Sequence, residues 1–466
     1  MERNGRATSW KGIAILVTVF MTGLGVLPAG ADLLEYVQKA DPAFAFTLQS
    51  TTPAGPVTLY NIKLTSQTWQ GITWQHWLTV IRPTDVKHGD KALLFVTGGK
   101  NTDPEPKADD GRMESFTDVA AKTGSVVAVL RQVPNQPLFE GKVEDQIIAY
   151  TFDQFLQGKG EDWPLLLPMV KSAVRAMDAT QQFVKAQFKQ DLTGFVVTGG
   201  SKRGWTTWLT GASDPRVVAI APMVIDVLNM PAQMEQQMKS YGKYSEEIED
   251  YTKRNIQGRQ QTPEGKRLSQ LIDPYAYIDK LTMPKLLLFG TNDPYWTVDA
   301  ANLYIKDLKG PTYVHYEPNT GHDIGPGGIQ ALVAFYQAIL KGEALPQCSA
   351  QLTPDGQIGM NYEGKPKISV WMARSITRDF RPVKWQERSL QDGAGVLADM
   401  GFSEMGYTAF FVDFTYTNEE GTTYALSSPM TVLPSGVFPY DAQGTKVARS
   451  EPHGEHDAPA TPPANQ

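Results

Sequence analysis

The chain has 466 residues, 41% of them hydrophobic and 20% charged, with a formal net charge of -7. That composition belongs to a globular protein long enough for about two cores, and it excludes fibrous and low-complexity architectures. The acidic balance is spread without long like-charge blocks, which argues against a polyanion-binding surface, so nucleic acid is not an expected partner.

Arg3, Arg6 and Lys11 precede an apolar stretch from Ile13 to Leu27, and Pro28-Ala29-Gly30-Ala31 follows. A basic head, a short apolar core and a small-x-small site are the layout of a secretory signal peptide, predicted here over residues 1–31. The apolar core is shorter than the ~20 residues of a spanning helix, so no stable membrane anchor is expected after cleavage. The mature chain is expected to begin at Asp32, in a periplasm or outside the cell. Cys348 is the only cysteine, so no internal disulfide is expected, and a thiol without a neighbouring His reads as structural.

Val57 to Leu64 alternates polar and apolar residues, and Trp77 to Ile81 is a second strand pattern closed by Pro83. Ala92 to Val96 is a continuous apolar run that breaks at Thr97-Gly98-Gly99, as a fully buried parallel strand does, and Gly124 to Leu130 repeats the pattern. Met169, Val170, Ala173, Val174, Met177 and Phe183 recur at helical spacing and lead into the strand-like Phe195 to Thr198. Val217 to Ala221 and Lys285 to Phe289 follow. Strands alternating with helices predict an α/β domain over 32–345, with a parallel sheet and right-handed crossovers.

Between about 227 and 280 the periodicity weakens and Gln, Glu, Lys, Tyr and Met dominate. This stretch reads as an insertion that forms a helical lid, or as a surface excursion with no gating role. From 346 to 441, period-2 patterns at Lys367 to Ala373, Thr408 to Tyr416 and Met430 to Leu433 predict a small immunoglobulin-like β-sandwich. The tail, 442–466, is too poor in apolar groups to order.

Gly199-Gly200-Ser201-Lys202-Arg203-Gly204 ends the Phe195 strand and opens a helix. A serine on such a turn is lifted above a parallel sheet, and small neighbours let the turn close. Arg203 departs from the usual pattern, which has glycine at that place. A serine hydroxyl is a weak nucleophile at neutral pH and needs a base within hydrogen-bond reach, itself oriented by a carboxylate. The chain order Ser, acid, His is that of the α/β-hydrolase fold. Asp293 stands just past the Lys285 strand, where the orienting acid belongs, and His322 follows the strand-like Tyr313 to Tyr316. Asp226, at the end of the preceding strand, is the alternative acid.

The oxyanion hole is expected from the backbone N–H groups of Lys202 and Gly99. Lys202 and Arg203 put two cations beside the nucleophile. Binding of an oxyanion or a substrate carboxylate and a plain ion pair both fit them. Trp296, in the acid loop, is a candidate substrate contact along with Arg203. There is no His-Glu-x-x-His spacing, no Cys cluster and no phosphate-binding loop, so no metal or cofactor is expected.

The run Val197 to Trp205, with Asp214-Pro215-Arg216-Val217, Asp293-Pro294-Tyr295-Trp296 and Pro318-Asn319-Thr320-Gly321-His322, resembles the PhoPQ-activated pathogenicity-related family. Ser66-Gln67-Thr68-Trp69, Arg131 to Pro137 and Pro168-Met169-Val170-Lys171 extend the resemblance, which runs from about Leu33 to Thr431. It implies a secreted α/β-hydrolase-like protein, akin to the autocrine proliferation repressor type, and makes the charged serine turn a family trait. It implies no substrate.

The expected function is a secreted serine hydrolase acting on a small ester or peptide. The alternative is a secreted binding or signalling protein on the same scaffold. A peptidase working from the amino end would need carboxylates for the ammonium, for which Glu144-Asp145 or Glu161-Asp162 stand. A carbohydrate esterase would set Lys202 or Arg203 against a sugar acid.

Overall fold

The computed structural model describes residues 32–353, 357–389 and 406–447. The expected signal peptide lies outside them, as does the expected tail beyond 447. A nine-stranded sheet contains β1 (Ala45–Ala54), β2 (Val57–Trp69), β3 (Ile72–Pro83), β4 (His88–Val96), β5 (Ser125–Leu130), β6 (Gly194–Gly200), β7 (Val217–Met223), β8 (Lys285–Gly290) and β9 (Thr312–Glu317). Its spatial order is β1-β2-β3-β5-β4-β6-β7-β8-β9. Pairing is antiparallel among β1, β2, β3 and β5, and parallel from β5 through β4 to β9. This order, with the serine turn directly after β6, is the arrangement of an α/β-hydrolase sheet.

The continuous apolar runs are explained by helices on both faces. These are α1 (Leu33–Gln38), α2 (Gly111–Thr123), α3 (Asp145–Leu156), α4 (Leu166–Phe188), α5 (Lys202–Ser213), α6 (Met230–Tyr241), α7 (Glu249–Thr252), α8 (Pro263–Ile272) and α9 (Gly325–Lys341). Because strand side chains alternate, Leu94 and Val197 pack with α1, α4 and α5, whereas Leu93 and Val196 pack with α2 and α9. All four are buried, and each contributes about 1.5–3 kcal/mol by leaving water. Among the described residues, no helix is long and apolar enough to cross a membrane.

Residues 227–280 lie between β7 and β8 and fold into α6, α7, α8 and short 3-10 turns. They are tied to the α3 side of the molecule: Tyr251 donates to Asp145 at 2.8 Å, Arg259 to Asp153 at 2.7 Å and Arg267 to Glu161 at 2.9 Å.

The C-terminal part differs from a sandwich. The described residues form a two-stranded hairpin, β10 (Cys348–Leu352) with β11 (Ile358–Tyr362), and one five-stranded antiparallel sheet. That sheet comprises β12 (Lys367–Ser375), β13 (Gln386–Ser389), β14 (Tyr407–Thr417), β15 (Thr423–Ser427) and β16 (Thr431–Leu433). The reason lies in β14, which is buried on both faces. Phe410, Val412 and Phe414 pack in the cluster that contains α9, while Phe411 packs against Tyr316 of β9 and Trp385. The hydrolase body and the 376–385 segment thus take the place of a second large sheet. The expected tail also starts later than 442: Asp441 accepts the N–H groups of Gln443 and Thr445 at 2.9 and 2.8 Å, closing an ordered turn.

Candidate active site

Gly200 ends β6 and Lys202 starts α5, so Ser201 alone carries the chain round the turn, with φ 57° and ψ -127°. A non-glycine residue held there costs about 1–3 kcal/mol and persists only where the surroundings enforce it. They do so by close approach. A side chain on Gly199 would meet Val96 O at 2.9 Å, one on Gly204 would meet Ile225 at 2.6 Å, and Ser201 N donates to Met223 O at 2.8 Å.

The loops after β8 and β9 bring the other two groups together. His322 Nδ1 lies 2.8 Å from Asp293 Oδ2, and Asp293 Oδ1 accepts the Tyr295 N–H at 2.9 Å. Tyr295 also covers the imidazole, with ring centroids 4.3 Å apart. The loops lie so close that a side chain on Gly290 would sit 2.1 Å from Gly321 O. An Nδ1–H donated to Asp293 leaves Nε2 as the ring's acceptor. Nε2 is buried, has no partner among the described residues, and belongs to a residue lining the same cleft as Ser201.

That cleft has a free volume of about 90 Å³ and opens to solvent. Phe152, Trp205 and Ile225 form one apolar side, and Met230, Met234 and Ile248 of the 227–280 insertion form another. Lys202, Asp145 and Trp296 also line it.

The sequence profile of the PhoPQ-activated pathogenicity-related proteins matches residues 33–381, a span containing all of these groups. The chain belongs to that family. It is 31% identical over 403 residues to autocrine proliferation repressor protein A of Dictyostelium discoideum, covering 79% of this chain and 78% of that protein. Among solved structures, it superposes on acetyl xylan esterase 1 from Thermoanaerobacterium sp. with TM-score 0.46 and 16% identity, covering 67% of this chain and 95% of that one. An acetyl xylan esterase from Paenibacillus sp. R4 gives 0.46 and 14%, covering 66% and 91%.

In this PhoPQ-related chain, the two cations of the serine turn are an internal ion cluster. Arg203 does not line the cleft; its guanidinium donates twice to Glu144, at 2.8 Å each, and also to Val133 O. The ion pair is one of the two arrangements the sequence left open for Arg203, and it explains how an arginine fits where glycine is usual: its tip fills the space beside Gly98. Lys202 Nζ lies 3.0 Å from Glu144 and 3.0 Å from Asp145. Burial pushes the Glu144 carboxyl up, but the hydrogen bonds and charge of Arg203, then the charge of Lys202, bring it down to about 2. Glu144 is therefore paired with the serine turn and Glu161 with Arg267, while Asp145 lines the cleft.

Gly99 has φ 131° in the loop after β4, but it is not among the residues lining the cleft, whereas Lys202 is. Asp226 does not contact His322. It accepts from Tyr304 at 2.6 Å, and burial, followed by the charges of Asp293 and Asp299, pushes its carboxyl up to about 8. The structure thus pairs Asp293 with the imidazole and the alternative acid with Tyr304.

Two contributors had no sequence signal. Asn292 donates to Arg381 O at 2.9 Å and Val383 O at 2.7 Å, clamping the acid loop to the C-terminal segment. Arg378 pairs with Asp299 at 2.7 Å in the same region.

Proposed function

We propose that this protein is a serine hydrolase that transfers an acyl group from an ester or peptide to water through Ser201, His322 and Asp293. The observation that carries this reading is a buried, unpartnered His322 Nε2, with its ring fixed by Asp293, in the cleft that a strained serine also lines.

Ser201 Oγ attacks the substrate carbonyl carbon as its proton passes to His322 Nε2. The resulting oxyanion accepts the Lys202 N–H, one of the unpaired donors at the start of α5, where the helix dipole favours negative charge. His322 then returns the proton to the leaving oxygen or nitrogen, and water repeats the sequence on the acyl-enzyme. Asp293 keeps the proton on Nδ1 and stabilises the imidazolium that forms.

The apolar walls suit an apolar acyl group or side chain, and the 227–280 insertion acts as the lid over it. The basic head and apolar stretch at the N-terminus support export. A purely binding protein has no use for a strained serine in the same cleft as an imidazole held by a carboxylate.

Hydrolysis of p-nitrophenyl acetate, butyrate and octanoate by wild type and Ser201→Ala tests the reading. Turnover that disappears in Ser201→Ala is expected. Equal turnover by both proteins overturns it.

A further inference from the structure

Asp293 also borders a second, small chamber with a free volume of about 10 Å³. That is about the least space that holds one water molecule. Asp226 and Asp293 both line it, and Trp296 lines both this chamber and the cleft. The Trp296 Nε1–H is buried without a partner among the described residues, while the Thr291 and Thr297 hydroxyls that also line the chamber are engaged by Asn292 and Gln236. A water there has the polar neighbours it requires.

The charges around Asp226 are already committed. Arg381 lines the chamber but pairs with Asp379 at 2.6 Å, and Asp299 pairs with Arg378 at 2.7 Å. Tyr304 donates to one Asp226 oxygen, while Tyr241 and Tyr316 complete the titratable groups facing it. No cation contacts the Asp226 carboxyl among the described residues, although it is almost fully buried beside a second carboxylate. Two carboxyl groups sharing an enclosed site do not both ionise readily; Asp293 has the His322 and Tyr295 N–H groups, whereas Asp226 has the Tyr304 hydroxyl alone, so Asp226 is the one that keeps its proton.

We propose that Asp226 is a positioning residue for the triad: as an uncharged acid it hydrogen-bonds through one water in this chamber to Asp293 and steadies that carboxylate against His322. The inference rests on the serine-hydrolase reading. Its consequence is an alkaline limit. When Asp226 ionises it stops donating and adds a negative charge near Asp293, so the geometry and charge that serve His322 are both disturbed. An acid raised from 3.8 to about 8 by folding also lowers stability progressively as pH rises between those values.

The test is the rate of covalent labelling by a fluorophosphonate at pH 7 and pH 9, for wild type, Asp226→Asn and Ser201→Ala. Asparagine keeps an oxygen for Tyr304 and an N–H toward the chamber, but cannot ionise. The expected wild-type rate falls by about tenfold from pH 7 to pH 9, following loss of the Asp226 proton, and Asp226→Asn shows no such fall. Its thermal midpoint should also rise relative to wild type as pH increases from 4 to 8. Identical pH 9 to pH 7 ratios in the two proteins overturn the inference while leaving Ser201 chemistry intact. Absence of Ser201-dependent labelling in wild type overturns both.

Discussion

Replacing Glu144 by glutamine removes one charge from the cluster beside the nucleophile while keeping its shape. In the native protein this carboxylate takes both Arg203 donors at 2.8 Å and the Lys202 ammonium at 3.0 Å, and both cations are buried. Breaking a buried ion pair costs about 3–5 kcal/mol, because the partner's charge is left uncompensated. Two features reduce that here: Lys202 retains Asp145, and the Glu144 side chain is 38% exposed, so water screens part of the loss. A carboxyl lowered from 4.5 to about 2 corresponds to about 3 kcal/mol before that screening. We therefore expect Glu144→Gln to lose about 2 kcal/mol in urea unfolding at pH 7.

The pH dependence has a definite sign. A depressed acid contributes stability that is complete above its unfolded value and is lost as pH falls through its folded value. The gap between wild type and Glu144→Gln should therefore close between pH 4.5 and about 2. Labelling of Ser201 should slow as well, since Arg203 and Lys202 belong to the first turn of α5. Unchanged urea midpoints at pH 7, together with an unchanged labelling rate, would refute the role assigned to Glu144.

Asp293→Asn should lower turnover by about 10⁴-fold, the loss such a change causes in serine-protease triads, because the amide stabilises the wrong imidazole tautomer. The check is the turnover of p-nitrophenyl esters at saturating substrate, with the melting midpoint showing that the fold survives. Gly290→Ala places a methyl 2.1 Å from Gly321 O and 2.5 Å from Thr320 O, so the histidine loop must shift. A loss of about 1–3 kcal/mol in urea unfolding, with labelling slowed at least tenfold, is the expected outcome.

The sheet was legible in the sequence because its inner strands are continuous apolar runs separated by glycine and proline, as at Ala92 to Val96 and Lys285 to Phe289. Asp293 and His322 were legible for a related reason: each directly follows a strand on the same edge, and the structure joins them at 2.8 Å. The pairing of Lys202 and Arg203 was not. Its partner Glu144 lies 59 residues from Arg203, and no local pattern reports a contact at that separation.

The C-terminal sheet misled for a different reason. Period-2 alternation implies one wet face, yet Phe410 to Phe414 are buried throughout because the hydrolase body covers one side and Trp385 the other. Asp226, the alternative acid, also stood at the end of a strand. Only the three-dimensional arrangement separates a carboxyl that meets an imidazole from one that meets Tyr304.

Reaction with a fluorophosphonate, followed by intact mass and by peptide mapping of the adduct, tests the nucleophile most directly. One adduct on Ser201, absent from Ser201→Ala and slowed in a variant lacking His322, is the expected result. No adduct on folded wild-type protein, or an adduct that persists in Ser201→Ala, would contradict the assignment of Ser201 as the nucleophile.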